Sequence, residues 1–519
     1  MEPIHRNLKF KFMILGIILL STICFGASDE IKALAKSLKG DPVLIYHYVK
    51  NHIEYVPYWY PAKGPTGTYL DGCGNDFDQA SLMVALLRES GFTTTTARYV
   101  MGNMSIPDSN IANWFGIPNT TTAINSVISL SQMPPRTGGA VKRVWVKVIY
   151  NSQTYYFDPS FKKYSANSKV DIGSVMHFDI NDISNYGTIG NDGGVGYVKN
   201  IDATSLSNTL KNYSTNLSNV LKTNYPNTDI SDILGTRTIV NEPLSPISNY
   251  TTLSYPVSSA VEYDTFPSSW APSLKVDCGG TISWQGSIPD MEGQRLSLTK
   301  DGANNIILRL DGTIKASGID TNNILKLTYN FPSASLNRIK QIQIVSPGTY
   351  AIVWNAEGVT YSTERLMKHQ KRIAQYIAEG KSLTSEEVVG ETLHSVGLRY
   401  LRSCLRTFQI GDKLSNVRVV PHNYFGIAGQ NNSGYFVDFI SLTGLYSRTN
   451  DTLTNEQKLA LPAMMMFNSA LEHETIDQTA GLVNSGISTS KGFEITNTNG
   501  KKIYYITSAS QINYLVAYF

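Results

Sequence analysis

The run Leu82-Met83-Val84-Ala85-Leu86-Leu87 is apolar on almost every face, so a helix built from it must be buried inside a domain rather than lying on one. The polar stretch Gly74-Asn75-Asp76-Phe77-Asp78-Gln79-Ala80-Ser81 leads into it, and Ser90-Gly91 closes it. Asp76 with Gln79 three positions on has the form of a capping box, with Asp in place of the usual Ser or Thr. A strand-like Ala97-Arg98-Tyr99-Val100 follows.

The segments around this helix give the first unit its outline. Asp41-Pro42 reads as an N-cap with proline in the first turn. Leu44, Ile45, Tyr48, Val49, His52 and Ile53 then recur at helical spacing. An aromatic loop, Tyr55 to Tyr60, and a glycine-rich approach through Gly64, Gly67, Gly72 and Gly74 lead to the central helix. Residues 103–140 read as irregular. Val144–Tyr150, the turn Asn151-Ser152 and Thr154–Phe157 form a hairpin, and Asp158-Pro159-Ser160-Phe161-Lys162 ends the unit. Helices followed by a sheet make an α+β domain.

Two strips of this unit, Asp71–Leu82 through Arg98-Tyr99-Val100-Met101-Gly102 and Val144–Val148 with Phe157–Lys162, resemble the core of the transglutaminase-like superfamily, a papain-like fold. The likeness is to domains of large exported bacterial proteins, some of which carry tyrosine-aspartate (RHS-type) repeats; no such repeats follow here. The strip Ser469-Ala470-Leu471-Glu472-His473-Glu474 is similar to a segment of the same proteins. The resemblance implies a cysteine nucleophile at a helix N-terminus, a histidine that takes its proton, and a carboxylate that orients the histidine. Position by position these roles fall on Asp76, Arg143 and Asp158, of which only Asp158 is the expected type. A guanidinium stays protonated and cannot serve as a general base. The resemblance therefore implies a retired site, with Asp76–Arg143–Asp158 as a salt-bridge triad that keeps the old charge pattern. The plainer alternative makes Asp76 a helix cap and Arg143 a solvated strand end. Cys73 is either a displaced nucleophile or a small loop thiol.

Over the whole chain, 519 residues call for several domains. The N-terminus has the parts of a secretory signal: Arg6, Lys9 and Lys11, then the apolar Phe12–Leu20, then small residues Gly26, Ala27 and Ser28. The 30 tyrosines, among many Asn, Ser and Thr, also suit an exported protein. The expected layout is a signal at 1–27, the transglutaminase-like domain at 28–165, and a connector with helices at 166–245. A β-rich, sandwich-like module at 246–360 and a mixed α/β module at 361–519 follow. In the last module helices are expected at Glu364–Glu379, Ser385–Arg406 and Asn455–Ala480, with strands near Tyr435–Leu442, Gly492–Thr496 and Ile503–Thr507.

The remaining patterns narrow the function classes. A net charge of +3 with no basic cluster argues against nucleic acid. No segment after the signal is long and apolar enough to span a bilayer. Cys73, Cys278 and Cys404 are neither a disulfide framework nor zinc ligands by spacing. His47 and His52 are five apart and do not share a face, and Glu472-His473-Glu474 lacks a second histidine, so no metal or cofactor is expected. The reading is an exported, non-catalytic protein of the extracellular space, cell surface or periplasm, with a protein or peptide-like partner. The alternatives are a cysteine-dependent amidase or acyl transferase using Cys73, and an accessory subunit of a repeat-containing toxin or adhesin.

Overall fold

The computed structural model describes residues 27–166, 170–177, 186–200, 202–228, 233, 237–333, 337–356, 363–415, 417–432, 434–447 and 502–505. The signal segment, the Ser469–Glu474 strip, the helix expected at Asn455–Ala480 and the strand at Gly492–Thr496 lie outside them.

The apolar run forms the centre of the first domain. Helices α1 (Asp29–Ser37) and α2 (Pro42–His52) pack beside α4 (Asp76–Glu89), and α2 carries the helical spacing read from Leu44 to Ile53. Between them lie a short parallel pair, β1 (Glu54–Tyr55) and β2 (Cys73–Gly74), and helix α3 (Gly64–Asp71). The glycine-rich approach is thus helical rather than a plain loop. Its N-terminal amides are capped from a neighbouring helix: the Asp78 carboxylate accepts Lys63 N–H at 2.8 Å and Gly64 N–H at 3.1 Å. Such a tertiary cap overrides the poor helix propensity of glycine. Gly72 ends α3 at φ 65°, a left-handed turn that glycine adopts freely.

Strands β3 (Ala97–Met104), β4 (Val141–Tyr150) and β5 (Gln153–Phe157) form an antiparallel sheet. Alternation along β4 assigns its faces. Val144, Val146 and Val148 bury against Phe77, Leu82, Met83 and Leu86 of α4. Val141 and Trp145 bury on the other face, against α5 (Asp108–Phe115) and α6 (Thr121–Leu130). Those two helices occupy the stretch expected to be irregular. Ile111, Trp114, Phe115, Ile124, Val127 and Ile128 give it apolar faces that cover the sheet, with Thr120 capping α6 at Ala123 N–H.

Strands β6 (Tyr164–Ala166) and β9 (Arg237–Ile239) pair across the connector. Between them fall α7 (Ile172–Met176), β7 (Thr188–Asp192), β8 (Val195–Lys199) and α8 (Ala203–Asn224). Strand β21 (Ile503–Tyr505) joins β8.

The expected limits at 245 and 360 do not coincide with the cores. Strand β10 (Val257–Tyr263) pairs with β3, Val261 opposite Met101, and so completes the first sheet. Phe266 then buries against Phe77 and Tyr99. The β-rich module is a sandwich. One sheet holds β11 (Ser273–Cys278), β12 (Ile282–Ser287), β16 (Ile324–Asn330) and β17 (Arg338–Gln343). The other holds β13 (Leu296–Lys300), β14 (Asn305–Leu310), β15 (Thr313–Ile319), β18 (Gly348–Ala356), β19 (Val417–Asn431) and β20 (Gly434–Ser447). Thus β19 and β20, expected in a separate C-terminal module, extend the sandwich. Ile352 and Trp354 face its interior, whereas Ala351 and Val353 pack on α10 (Glu386–Ser415). Among the described residues no helix is long and apolar enough to cross a membrane.

A buried charge network ties the two cores. Arg365, on α9 (Glu364–Ala378), meets Asp71 of α3 at 2.6 Å and also pairs with Glu292. Lys63 holds Asp71 at 2.5 Å, and Trp354 Nε1 donates to Glu292 at 3.0 Å. Burial raises the Asp71 carboxyl, but Arg365 and Lys63 outweigh it and hold the group below its ordinary range. Removing one partner strands the others away from water. Asp71→Ala is therefore expected to cost about 3–5 kcal/mol in urea unfolding; a cost below about 1 kcal/mol, the value of an exposed pair, contradicts the network's role.

Candidate functional site

Three strand and helix ends converge where the resemblance places its site. The N-cap of α4 is Asn75, whose side chain accepts Asp78 N–H at 2.9 Å. The capping box read from Asp76 and Gln79 is corrected accordingly: Gln79 Nε2 bonds Gly74 O and Glu54 O instead. Asp76 is then the first helical residue, in the positive field of the helix N-terminus, and its carboxylate is released to reach the sheet. Strand β5 pairs with β4 only as far as Val146–Phe157. Val144 N–H lies beyond that ladder, and Asp76 Oδ2 accepts it at 2.8 Å.

Arg143 shares the face of β4 that carries Val141 and Trp145, and it is completely buried. Its guanidinium stacks 4.2 Å from the centre of the Trp114 ring, with Phe161 at 5.8 Å. Nη2 donates to Asp158 Oδ1 at 2.8 Å and also to Ser160 Oγ. Asp158 follows directly on β5 and is oriented further by Ser160 Oγ at 3.1 Å and Phe161 N–H at 3.2 Å. Arg143 Nε lies 4.0 Å from Asp76 Oδ2, an ionic contact rather than a hydrogen bond. The structure thus brings Asp76, Arg143 and Asp158 together, and Arg143 is not a solvated strand end.

Cys73 is placed differently. It lies on β2, fully buried among Val56, Tyr58, Ala62 and the sandwich core. The nearest histidines in sequence have other partners: His47 Nε2 meets Tyr250 OH at 2.9 Å, and His52 Nδ1 meets Tyr48 O at 3.0 Å. Of the other cysteines, Cys278 is a buried thiol, and the Cys404 side chain lies outside the described residues. The aromatic loop packs into the cores through Tyr55 and Tyr58.

Several residues at the site carry no local sequence signal. Trp114, Ser160 and Phe161 are brought to Arg143 from α5 and from the turn after β5. Lys162 is wholly buried, and its ammonium donates to Val49 O, Lys50 O and Pro159 O at 2.6–2.8 Å, closing the C-terminal end of α2. Burial holds Lys162 well below the ordinary lysine range. A cavity of about 460 Å³ borders Asp158. Tyr46, Lys50 and Phe161 form one wall, and Glu242, Tyr250 and Tyr255 of the chain's own 240–255 segment form the other. That segment is held by reciprocal hydrogen bonds between Asn51 and the Glu242 backbone, at 2.9 and 3.1 Å. Among the described residues no cluster of His, Cys, Asp and Glu could hold a metal ion.

A helix N-terminus set against an antiparallel sheet, with the polar side chains of β4 and of the turn after β5 meeting it, is the arrangement of a transglutaminase-like domain. Residues 27–159 match the sequence profile of the transglutaminase-like superfamily. Neither curated proteins nor solved structures give a match to the chain.

The ionisation of the two helix-start carboxyls has a measurable consequence. Burial raises Asp76 to about 6, with Arg143 and the Val144 amide opposing it. Burial raises Asp78 to about 7, with Tyr58 and the Lys63 and Gly64 amides opposing it. Unfolded, both ionise near pH 4. Between about pH 4 and pH 7 the folded chain holds more protons than the unfolded one, so stability from these groups is full below that window and lost across it. Asp76→Asn and Asp78→Asn should each flatten this fall in urea unfolding run as a pH series; an unchanged slope contradicts the assignment. Arg143→Met leaves Asp158 and Asp76 without their cation and is expected to cost about 3–5 kcal/mol, read in the same assay at pH 8.

Proposed function

We propose that this is an exported, non-catalytic transglutaminase-like protein with a binding or structural role at the bacterial cell surface or envelope. The observation that carries the proposal is the buried Arg143, ion-paired to Asp158 where acyl transfer requires a group that gains and loses a proton. Arg143 holds a fixed positive charge, and Asp76 offers an oxygen in place of a thiolate. The ion pair with Asp158 holds the Arg143 cation within the fold and leaves position 143 without a base.

Binding then rests on the cavity beside Asp158. It combines tyrosines with Lys50, Asp158 and Glu242, a mixture suited to a peptide-like ligand with both apolar and charged groups. A polypeptide already borders it, namely the 240–255 segment of the same chain. Export and surface location rest on the N-terminal sequence and on composition.

The test pairs reactivity with activity. Under native conditions a thiol-directed active-site probe should leave Cys73 unlabelled, and amide-hydrolysis and amine-transfer assays should give no signal above a heat-denatured control. Cys73→Ala should change neither result. Activity that disappears with Cys73→Ala would overturn the proposal in favour of a cysteine-dependent amidase or acyl transferase. Stable co-purification with a repeat-containing toxin or adhesin from the native host would assign the binding role to an accessory subunit.

A further inference from the structure

Lys300 closes β13 and turns its side chain into the gap between the two sheets of the sandwich. The side chains of Lys300 and Asp320 are both fully inaccessible, and Lys300 Nζ lies 2.6 Å from Asp320 Oδ2. A second acceptor stands equally close, Asn323 Oδ1 at 2.6 Å, and Ile344 O is at 2.9 Å. A buried lysine that touches both a buried carboxylate and the carboxamide of an exposed asparagine brings together the components of an amide-forming reaction.

The geometry of Asn323 is set by its neighbours. Asp320 Oδ1 accepts the Asn323 N–H at 2.7 Å and the Asn322 N–H at 3.2 Å. The Asn323 carbonyl in turn accepts Ile344 N–H at 2.9 Å. Its backbone takes φ 57°, a left-handed conformation that asparagine tolerates better than most residues. A lysine amine turned on this site as an ammonium can only donate, so the amide oxygen faces it and the NH₂ group points away. The carbonyl carbon is then one bond beyond the atom Lys300 already touches, and the NH₂ is on the departing side.

We propose that Lys300 and Asn323 become joined by an intramolecular amide bond, with Asp320 as the proton carrier. Lys300 first passes a proton to Asp320 Oδ2 across their 2.6 Å contact. The freed lone pair attacks Cγ of Asn323 and forms the Nζ–Cγ bond. A second proton moves from the amine nitrogen to Nδ2, the Cγ–Nδ2 bond breaks, and ammonia leaves. Asp320 returns its proton to the ammonia, so one ammonium ion departs and Asp320 is again a carboxylate. The reaction needs no oxidant, metal or cofactor, and it occurs once per chain.

The product is a covalent tie between the two layers. Lys300 ends β13 of the six-stranded sheet, and Asn323 immediately precedes β16 of the four-stranded sheet. The cross-link would prevent the sheets from separating even when the noncovalent core is opened.

Mass spectrometry of the purified full chain, intact and after trypsin digestion, tests this directly. The expected result is an intact mass lower than the sequence mass by one ammonia, no cleavage after Lys300, and a branched peptide containing both Lys300 and Asn323. Asp320→Ala and Lys300→Arg should each restore the full mass. A wild-type chain of full mass with separate linear peptides overturns the proposal and leaves a buried salt bridge. A mass deficit carried by a linear peptide overturns it equally, since asparagine can lose ammonia by closing on its own backbone. The wild-type measurement decides the matter even if a variant fails to fold.

Discussion

A cation that cannot be neutralised, shut inside the first domain, sets the terms for everything around it. Arg143 is fully buried, so its charge must be met by carboxylates and by an aromatic face within the fold. Asp158 supplies the direct hydrogen bond, Asp76 the more distant charge, and Trp114 the ring. Each demand falls on a different element: the turn after β5, the first residue of α4, and α5. The ion pair thereby fixes how the central helix, the sheet and the covering helices meet.

The same requirement recurs elsewhere in the molecule. Arg365 is a second buried guanidinium and pairs with Asp71 and Glu292 at the contact between the two cores. Buried ion pairs add little net stability compared with apolar packing, yet losing one member is costly. Each of these contacts joins separate elements of the chain, so all of them must be in place before every charge is met.

Parts of this were legible in the amino-acid sequence for local reasons. The all-round apolar run announced a buried helix, the Asn151-Ser152 turn announced a hairpin, and Asp41-Pro42 marked the start of α2. The positions 76, 143 and 158 were legible through resemblance alone, since nothing in their spacing brings them together. What escaped was decided by partners distant in the chain. Helix α3 exists in spite of its glycines because Asp78 caps it from outside. Strand β10 belongs with β3, and strands β19 and β20 with the sandwich, because each completes a hydrogen-bonded edge that composition cannot reveal. Asn75 rather than Asp76 caps α4, a one-residue shift that frees the Asp76 carboxylate for Val144.

The state of the Arg143 guanidinium is the most direct measure of this account. Nitrogen-resolved NMR, with the signal assigned by its loss in Arg143→Lys, reports how fast the side-chain N–H exchanges with solvent. The account predicts a signal protected about as long as the backbone amides of β4, shifting in position only as Asp76 titrates near pH 6. Exchange too fast to detect, as for an arginine at a solvated strand end, would contradict it.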